Sequence, residues 1–258
     1  MGAQVIIVGR SEQRCRTVLQ EINGYENDFI LTDLSEMDQV RRAVAEFSNR
    51  FQQLDVLINN AGGAFLKRQV TSQGCEMTWA LNHLSYFLLT NLLIPKLEAA
   101  AAYSGEARVV VVSSAAHEGI KIEFDNLNGE RSYNLWKAYK QSKLANILFS
   151  FELARRMGDN GICVNALHPG FVATRIGDNN GWLARFIMRF VHLRALSLEQ
   201  GAQTPVYLAS SPEVEGKSGL YYVNCKPIQA DPAAYDINTA RQLWEISTRM
   251  SGLNHLNP

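Results

Sequence analysis

The sequence has no paired cysteines, no excess of either charge and no long uninterrupted apolar run, and each absence removes a class of protein. Its four cysteines, Cys15, Cys75, Cys163 and Cys225, stand far apart with no CxxC spacing. That leaves neither a zinc site nor a disulfide framework, so no metal is expected and a reducing compartment is the simplest setting. Lys plus Arg number 25 and Asp plus Glu 25, so the formal charge is zero and nothing electrostatic favours a nucleic-acid partner. No stretch is apolar for long enough to span a bilayer, and the start lacks the charged, apolar and small-residue succession of a signal peptide. The expectation is a soluble, cytoplasmic chain.

What is present is ordinary globular material: 258 residues, 47% of them hydrophobic and 19% charged. Short β-rich runs recur at 4–8, 29–32, 56–59, 108–113, 163–168 and 220–223. Most are continuously apolar, as parallel strands covered on both faces should be. Helix-like stretches separate them at 11–22, 37–51, 75–100 and 135–157. Such alternation predicts right-handed βαβ crossovers that build one doubly wound parallel sheet, an α/β fold. No repeat, low-complexity tract or linker divides residues 1–258, which read as a single domain.

Three segments carry chemistry. In YKQSK, Tyr139 and Lys143 are four apart on a helical stretch, so a phenol and an ammonium project from one face one turn apart. A free tyrosine titrates near about 10, and a neighbouring cation lowers that value toward the range of a useful proton carrier. On the pentapeptide alone a solvated surface helix accounts for the pattern better. The run RVVVVSSAAH changes the balance, because it reads as a buried strand that delivers Ser113 and Ser114 to the carboxyl edge of the sheet, where open α/β sheets bind ligands. One of the two serines is expected to cap the turn that follows. In LDVLINNAGG a third apolar strand runs into Asn59, Asn60, Ala61, Gly62 and Gly63, small residues that either let a ligand approach the backbone or simply close a tight loop.

Taken in order, these motifs resemble the short-chain dehydrogenase/reductase family from Gly2 to about Pro227. NNAG stands at 59–62, Asn82 follows in ALNHLSYF, then Ser114, Tyr139 and Lys143, then the HPG turn at 168–170 with Thr174 beyond. The resemblance implies a Rossmann-like fold in which Tyr139 exchanges a proton with the substrate oxygen and Ser114 hydrogen-bonds it. It implies that Lys143 lowers the Tyr139 pKa and holds the nicotinamide ribose, and that Asn82 organises a water-linked relay. A nicotinamide cofactor would carry the hydride. Its contacts would come from Arg10, Asp33, Leu34, Asn60, Ala61, Gly62, Tyr139, Lys143, Pro169, Gly170 and Thr174.

The segments RVVVVSSAAHEGI and YKQSKLANILFSFELARR, with the late NCKP and LWEIS, look most like the retinol-dehydrogenase-like branch, which implies a lipophilic alcohol or carbonyl as substrate. Arg10 occupies the place where NAD-preferring members carry an acidic residue, so a guanidinium there implies NADP over NAD. Asp33 matches the position beside the adenine ring. Residues 175–197 correspond to the substrate lid, and on a helical wheel Trp182, Leu183, Phe186, Ile187, Phe190, Val191 and Leu193 form one arc with Arg185, Arg189 and His192 opposite. That arc at 182–194 suits a lipophilic pocket, peripheral contact with a membrane, or plain packing on the sheet. The long helical stretches are compatible with a dimer or tetramer.

The family normally opens with a strand, a TGxxxGIG loop and a helix ahead of the stretch that MGAQVIIVGR resembles, and the 258 residues hold no counterpart. The loop's glycines let backbone N–H groups meet the pyrophosphate. The chain is therefore expected to be the family domain truncated at its N-terminus, with Met1 an internal methionine of a longer protein. In the family strand order 3-2-1-4-5-6-7 the absent strand lies between 4–8 and 56–59, which predicts two unpaired interior edges. Each unpaired buried N–H or C=O costs about 1–3 kcal/mol against a net stability of about 5–15 kcal/mol, so poor stability or edge-to-edge association is expected unless the edges close on each other. Two functions remain open: an NADP-dependent oxidoreductase, or a non-catalytic binding or membrane-associated protein that has lost its cofactor. A sugar-nucleotide epimerase or dehydratase fits less well, because the carboxyl-terminal part leaves little room for a second nucleotide-sugar domain.

Overall fold

The valine-rich run is the centre of the molecule. In the computed structural model, which describes residues 2–22, 26–170 and 197–253, it forms strand β4, Ala107–Val112, and all but Arg108 of its side chains are buried. Strand β3, Val56–Asn59, pairs with one edge and β5, Ile162–His168, with the other, both in parallel, with Val109 opposite Leu57 and Val164. Outside β5 lies β6, Tyr221–Val223, also parallel, followed by the antiparallel β7, Lys226–Ile228. The hairpin between the last two turns on Asn224 and Cys225, both at positive φ (49° and 61°). Left-handed backbone at both central residues matches the twist of tight hairpins.

A separate parallel pair joins β1, Ile6–Gly9, to β2, Asp28–Leu31. Among the described residues no ladder connects β1 to β3. The expected Rossmann-like architecture is thus present with its ladder interrupted at the place where the family order puts one more strand, and the two edges do not close on each other. Incomplete cover follows: Ile6, Ile7 and Val8 are only half-buried, and Ile58 of β3 is 44% exposed. Parallel strands are ordinarily buried on both faces.

Helices cover the rest. In α1, Glu12–Glu21, Ser11 caps the first turn; in α2, Met37–Arg50, Met37, Val40, Val44 and Phe47 repeat at helical spacing and form the buried face. α2 packs on a long helical run made of α3, Met77–Trp79, a π-helical turn at Ala80–Leu84, and α4, Ser85–Ser104. α5, Leu135–Met157, is buried without interruption from Gln141 to Leu153. It is covered on one side by β5 and on the other by α7, Ile237–Ser251. Phe87, Phe149 and Trp244 meet there, the Phe87 and Trp244 rings edge to face at 4.9 Å between centroids. The remaining helix, α6, Leu198–Ser210, begins with a capping box between Ser197 and Gln200.

The periodic reading places β3 and α5 at their observed bounds and the other expected elements within a few residues. It omits β7, α6 and α7. The first is three residues long and exposed, and the helices are amphipathic stretches whose apolar residues are diluted by polar ones. The expected lid at 175–197, apart from Ser197, lies outside the described residues, as does the amphipathic arc at 182–194.

Candidate functional site

β4 ends at Val112, and of the two serines beyond it Ser114 takes both the expected cap and the place beside Tyr139, while Ser113 has a structural role. Ser113 is buried, and its hydroxyl donates to the Lys143 backbone carbonyl at 2.7 Å, tying the strand end to α5. Ser114 adopts extended backbone (φ −163°, ψ 153°) and its Oγ accepts from the Ala116 N–H at 3.2 Å, capping the 3-10 turn Ala115–His117. The same hydroxyl neighbours the Tyr139 phenol and favours its ionised form.

α5 starts at an Asn134 cap, whose Oδ1 accepts from the Lys137 N–H, so Tyr139 and Lys143 fall in its second and third turns on the side facing β4. Lys143 Nζ lies 5.7 Å from the centre of the Tyr139 ring and donates to the Val112 carbonyl at 3.1 Å. Burial depresses the Lys143 pKa to about 8. Burial also pushes the Tyr139 phenol above its ordinary value, and the Ser114 hydroxyl pulls it only part of the way back. The lowering anticipated from the ammonium is therefore not the outcome here, because removing a phenolate from water costs more than these neighbours return.

Asn82 sits inside the π-helical turn and is completely buried. Such turns add one residue to the helix and often mark functional sites. Its Oδ1 accepts from the Gly63 N–H at 2.8 Å, while its Nδ2 donates to the Gly63 carbonyl and to Ser142 Oγ, both at 2.9 Å. Both amide hydrogens are consumed, so Asn82 holds the loop after β3 to the Ser142 face of α5. A water-linked relay through it would have to use the remaining lone pair of Oδ1. In the loop itself Tyr86 donates to the Ala61 carbonyl at 2.8 Å, and Asn60 and Gly62 are exposed at the rim. A Cβ on Gly62 would stand 3.3 Å from Asn82 Oδ1 and 3.7 Å from Lys143 Nζ, so a side chain would intrude at the amide and the ammonium.

The other sequence candidates lie at strand ends or just beyond. Arg10 follows β1, and its guanidinium is 3.8 Å from the Asp33 carboxylate beyond β2, with both side chains partly open to solvent. Asp33 Oδ1 also accepts from the N–H and hydroxyl of Ser35, and Leu34 is buried in the core. Pro169 and Gly170 follow β5, with Gly170 at φ 86°. Thr174 is outside the described residues. Asn82, Ser114, Tyr139, Lys143 and the loop 60–62 are thus brought together, with Arg10, Asp33 and Leu34 grouped on the separate β1–β2 pair.

A phenol and an ammonium beside a serine hydroxyl at the end of a parallel strand are groups able to exchange a proton with a bound oxygen. The short chain dehydrogenase profile matches residues 1–181. The chain belongs to the short-chain dehydrogenase family. It is 40% identical over 270 residues to mouse retinol dehydrogenase 14, covering 98% of this chain and 80% of the relative, which places it in the retinol-dehydrogenase-like branch. A solved structure of an uncharacterized protein from Mycobacterium paratuberculosis aligns with TM-score 0.76 and 31% identity over 97% of this chain and 85% of that one. The Pseudomonas aeruginosa RhlG/NADP active-site complex aligns with TM-score 0.65 and 25% identity over 85% and 84%. This short-chain dehydrogenase is accordingly an oxidoreductase, as its motif order implies.

Several residues that build the site had no signal in the sequence reading. Ser142, Tyr86 and the buried Thr90, whose Oγ1 accepts from Asn59 Nδ2 at 2.9 Å, support the end of β3 and the loop after it from other elements. A helical wheel of α5 would have put Ser142 beside Tyr139. Nothing in sequence alone pairs Asn59 with Thr90.

Proposed function

We propose that this dehydrogenase interconverts an alcohol and a carbonyl on a lipophilic small molecule, with NADP as hydride carrier. The carrying observation is the Ser114–Tyr139–Lys143 grouping at the end of β4. The nicotinamide end of the cofactor fits the residues present: Gly62 is exposed and unable to accept a side chain without crowding Asn82 and Lys143, and Asn60 and Ala61 line the same rim. When bound, NADP supplies or accepts the hydride at the reacting carbon.

The chain's own residues handle the proton and the oxygen. In reduction, Ser114 donates a hydrogen bond to the carbonyl oxygen, and Tyr139 gives up its proton as that oxygen becomes a hydroxyl. Lys143, charged below about pH 8, stabilises the phenolate left behind. Oxidation reverses each step. Arg10 would hold the 2′-phosphate, with Asp33 and Leu34 beside it on the β1–β2 pair, and Pro169 and Gly170 after β5 would contribute to the nicotinamide end, as would Thr174 by its place in the sequence motif. The relative's name, retinol dehydrogenase, and the apolar arc of 182–194 support a lipophilic substrate.

The break in the ladder between β1 and β3 among the described residues favours a cofactor-free binding protein as the second reading. Fluorescence titration of NADPH into folded protein separates the two readings, and a folded sample that binds none defeats the enzymatic one for this chain. With NADPH and retinaldehyde as probes, Tyr139→Phe should nearly abolish turnover at similar cofactor affinity; near-normal turnover would remove Tyr139 from the mechanism. Arg10→Ala should weaken NADPH by about tenfold and leave NADH nearly unchanged, since only the former carries the 2′-phosphate.

A further inference from the structure

His117 is 1% exposed and lies three residues past Ser114, in the turn that Ser114 caps. Its backbone N–H reaches the Ser114 carbonyl at 3.1 Å and its ring Nδ1 lies 2.7 Å from that same oxygen. On the other side of the ring, Nε2 accepts from the backbone N–H of Asp231 at 3.0 Å. A backbone N–H can only donate, so Nε2 must be the bare nitrogen and the proton must sit on Nδ1, where it donates to Ser114. The ring packs edge-on against Tyr221 of β6 at 5.1 Å, which blocks its rotation. The Asp231 carboxylate returns across the same junction, Oδ2 accepting from the Gly119 N–H and Oδ1 from the Ala233 N–H. Two turns distant in sequence, 114–119 and 230–235, are therefore stitched through one imidazole and one carboxylate.

We infer that His117 is a positioning residue for Ser114: its Nδ1–H tautomer, set by the Asp231 N–H, fixes the Ser114 peptide so that the hydroxyl faces Tyr139. The inference rests on the functional reading above, because it needs Ser114 and Tyr139 to share a substrate oxygen. A satisfied buried histidine that only holds two turns together would make the same contacts but would not transmit them to turnover. The two amide substitutions split these roles, because an Asn Nδ2 overlies histidine Nδ1 whereas a Gln Oε1 overlies Nε2. His117→Asn keeps the donor to Ser114 and loses the acceptor for Asp231; His117→Gln keeps the acceptor and loses the donor.

The test has an activity-free arm and a kinetic arm. Nitrogen NMR of the wild-type ring should show the neutral Nδ1–H tautomer, and the resonance of the Ala115 amide, which shares a peptide with the Ser114 carbonyl, should move in His117→Gln and stay near its place in His117→Asn. An Nε2–H tautomer, or equal movement in both variants, overturns the inference whether or not the chain turns over. With NADPH and retinaldehyde, kcat should fall about tenfold or more in His117→Gln at unchanged cofactor KM, and stay within about threefold in His117→Asn, since a small misplacement of a reacting group is costly. Equal losses in the two variants, or none, reject positioning. Normal turnover by Tyr139→Phe would instead reject the underlying functional reading.

Discussion

Lys143 Nζ donates to the Val112 carbonyl at the last residue of β4 while lying 5.7 Å from the Tyr139 ring centre, so a single strand terminus anchors the cation beside the phenol. That ammonium loses its proton near about pH 8. Below that value the phenolate formed in carbonyl reduction has a cation beside it, and above it does not. The rate of reduction should therefore hold to about pH 8 and decline beyond as one proton leaves. Lys143→Met should remove this inflection and lower turnover by about a hundredfold, the usual scale for losing support to an acid–base group. A pH–rate profile that is flat through pH 9 in the wild type contradicts the assignment.

Gly62 is constrained by its neighbours and not by its backbone. Gly62→Val would drive its side chain toward Asn82 Oδ1 and Lys143 Nζ, into the rim assigned to the nicotinamide. NADPH affinity, read by fluorescence titration, should fall by about tenfold or more.

Asn82 satisfies three buried polar groups at once. Asn82→Ala leaves the Gly63 N–H, the Gly63 carbonyl and one side of Ser142 without partners in a place water does not reach. Urea unfolding should show a loss of about 2–4 kcal/mol. A loss of only a few tenths would mean that the loop after β3 is held by other contacts.

His83 is fully buried, with Nε2 2.8 Å from Ser247 Oγ and the ring among Trp79, Phe87 and Phe149. Burial drops its pKa from 6.5 to about 3. The unfolded chain thus binds a proton between those values that the folded chain does not, so this contribution to stability is complete above pH 6.5 and is lost as pH falls toward 3. In His83→Leu the dependence of unfolding free energy on pH between 4 and 6 should be shallower by about 1.4 kcal/mol per pH unit, the value for one proton. Parallel wild-type and variant curves would place the proton uptake elsewhere.

Much of this molecule was legible before any coordinates. Continuous apolar runs locate β3 and β4 because a strand covered on both faces has no polar side to alternate with. The four-residue spacing of Tyr139 and Lys143 fixes their common face because a helix repeats every 3.6 residues. The role of Ser113 was not readable from sequence, since its partner is a backbone carbonyl thirty residues away. The interrupted ladder between β1 and β3 follows from the motif order, and its consequence for cover at Ile58 appears only in three dimensions.

By itself the order of residues determined the fold class, the common helix face of Tyr139 and Lys143 and the edge of the sheet that Ser114 reaches, because periodicity and local spacing are encoded along the chain. Tertiary structure alone decided their environment. Burial, set by elements far away in sequence, raises the phenol and lowers the ammonium, and it places Asp231, from the far end of the chain, behind the histidine that holds Ser114. Solvation and long-range hydrogen bonds belong to the folded whole, so no local pattern carries them.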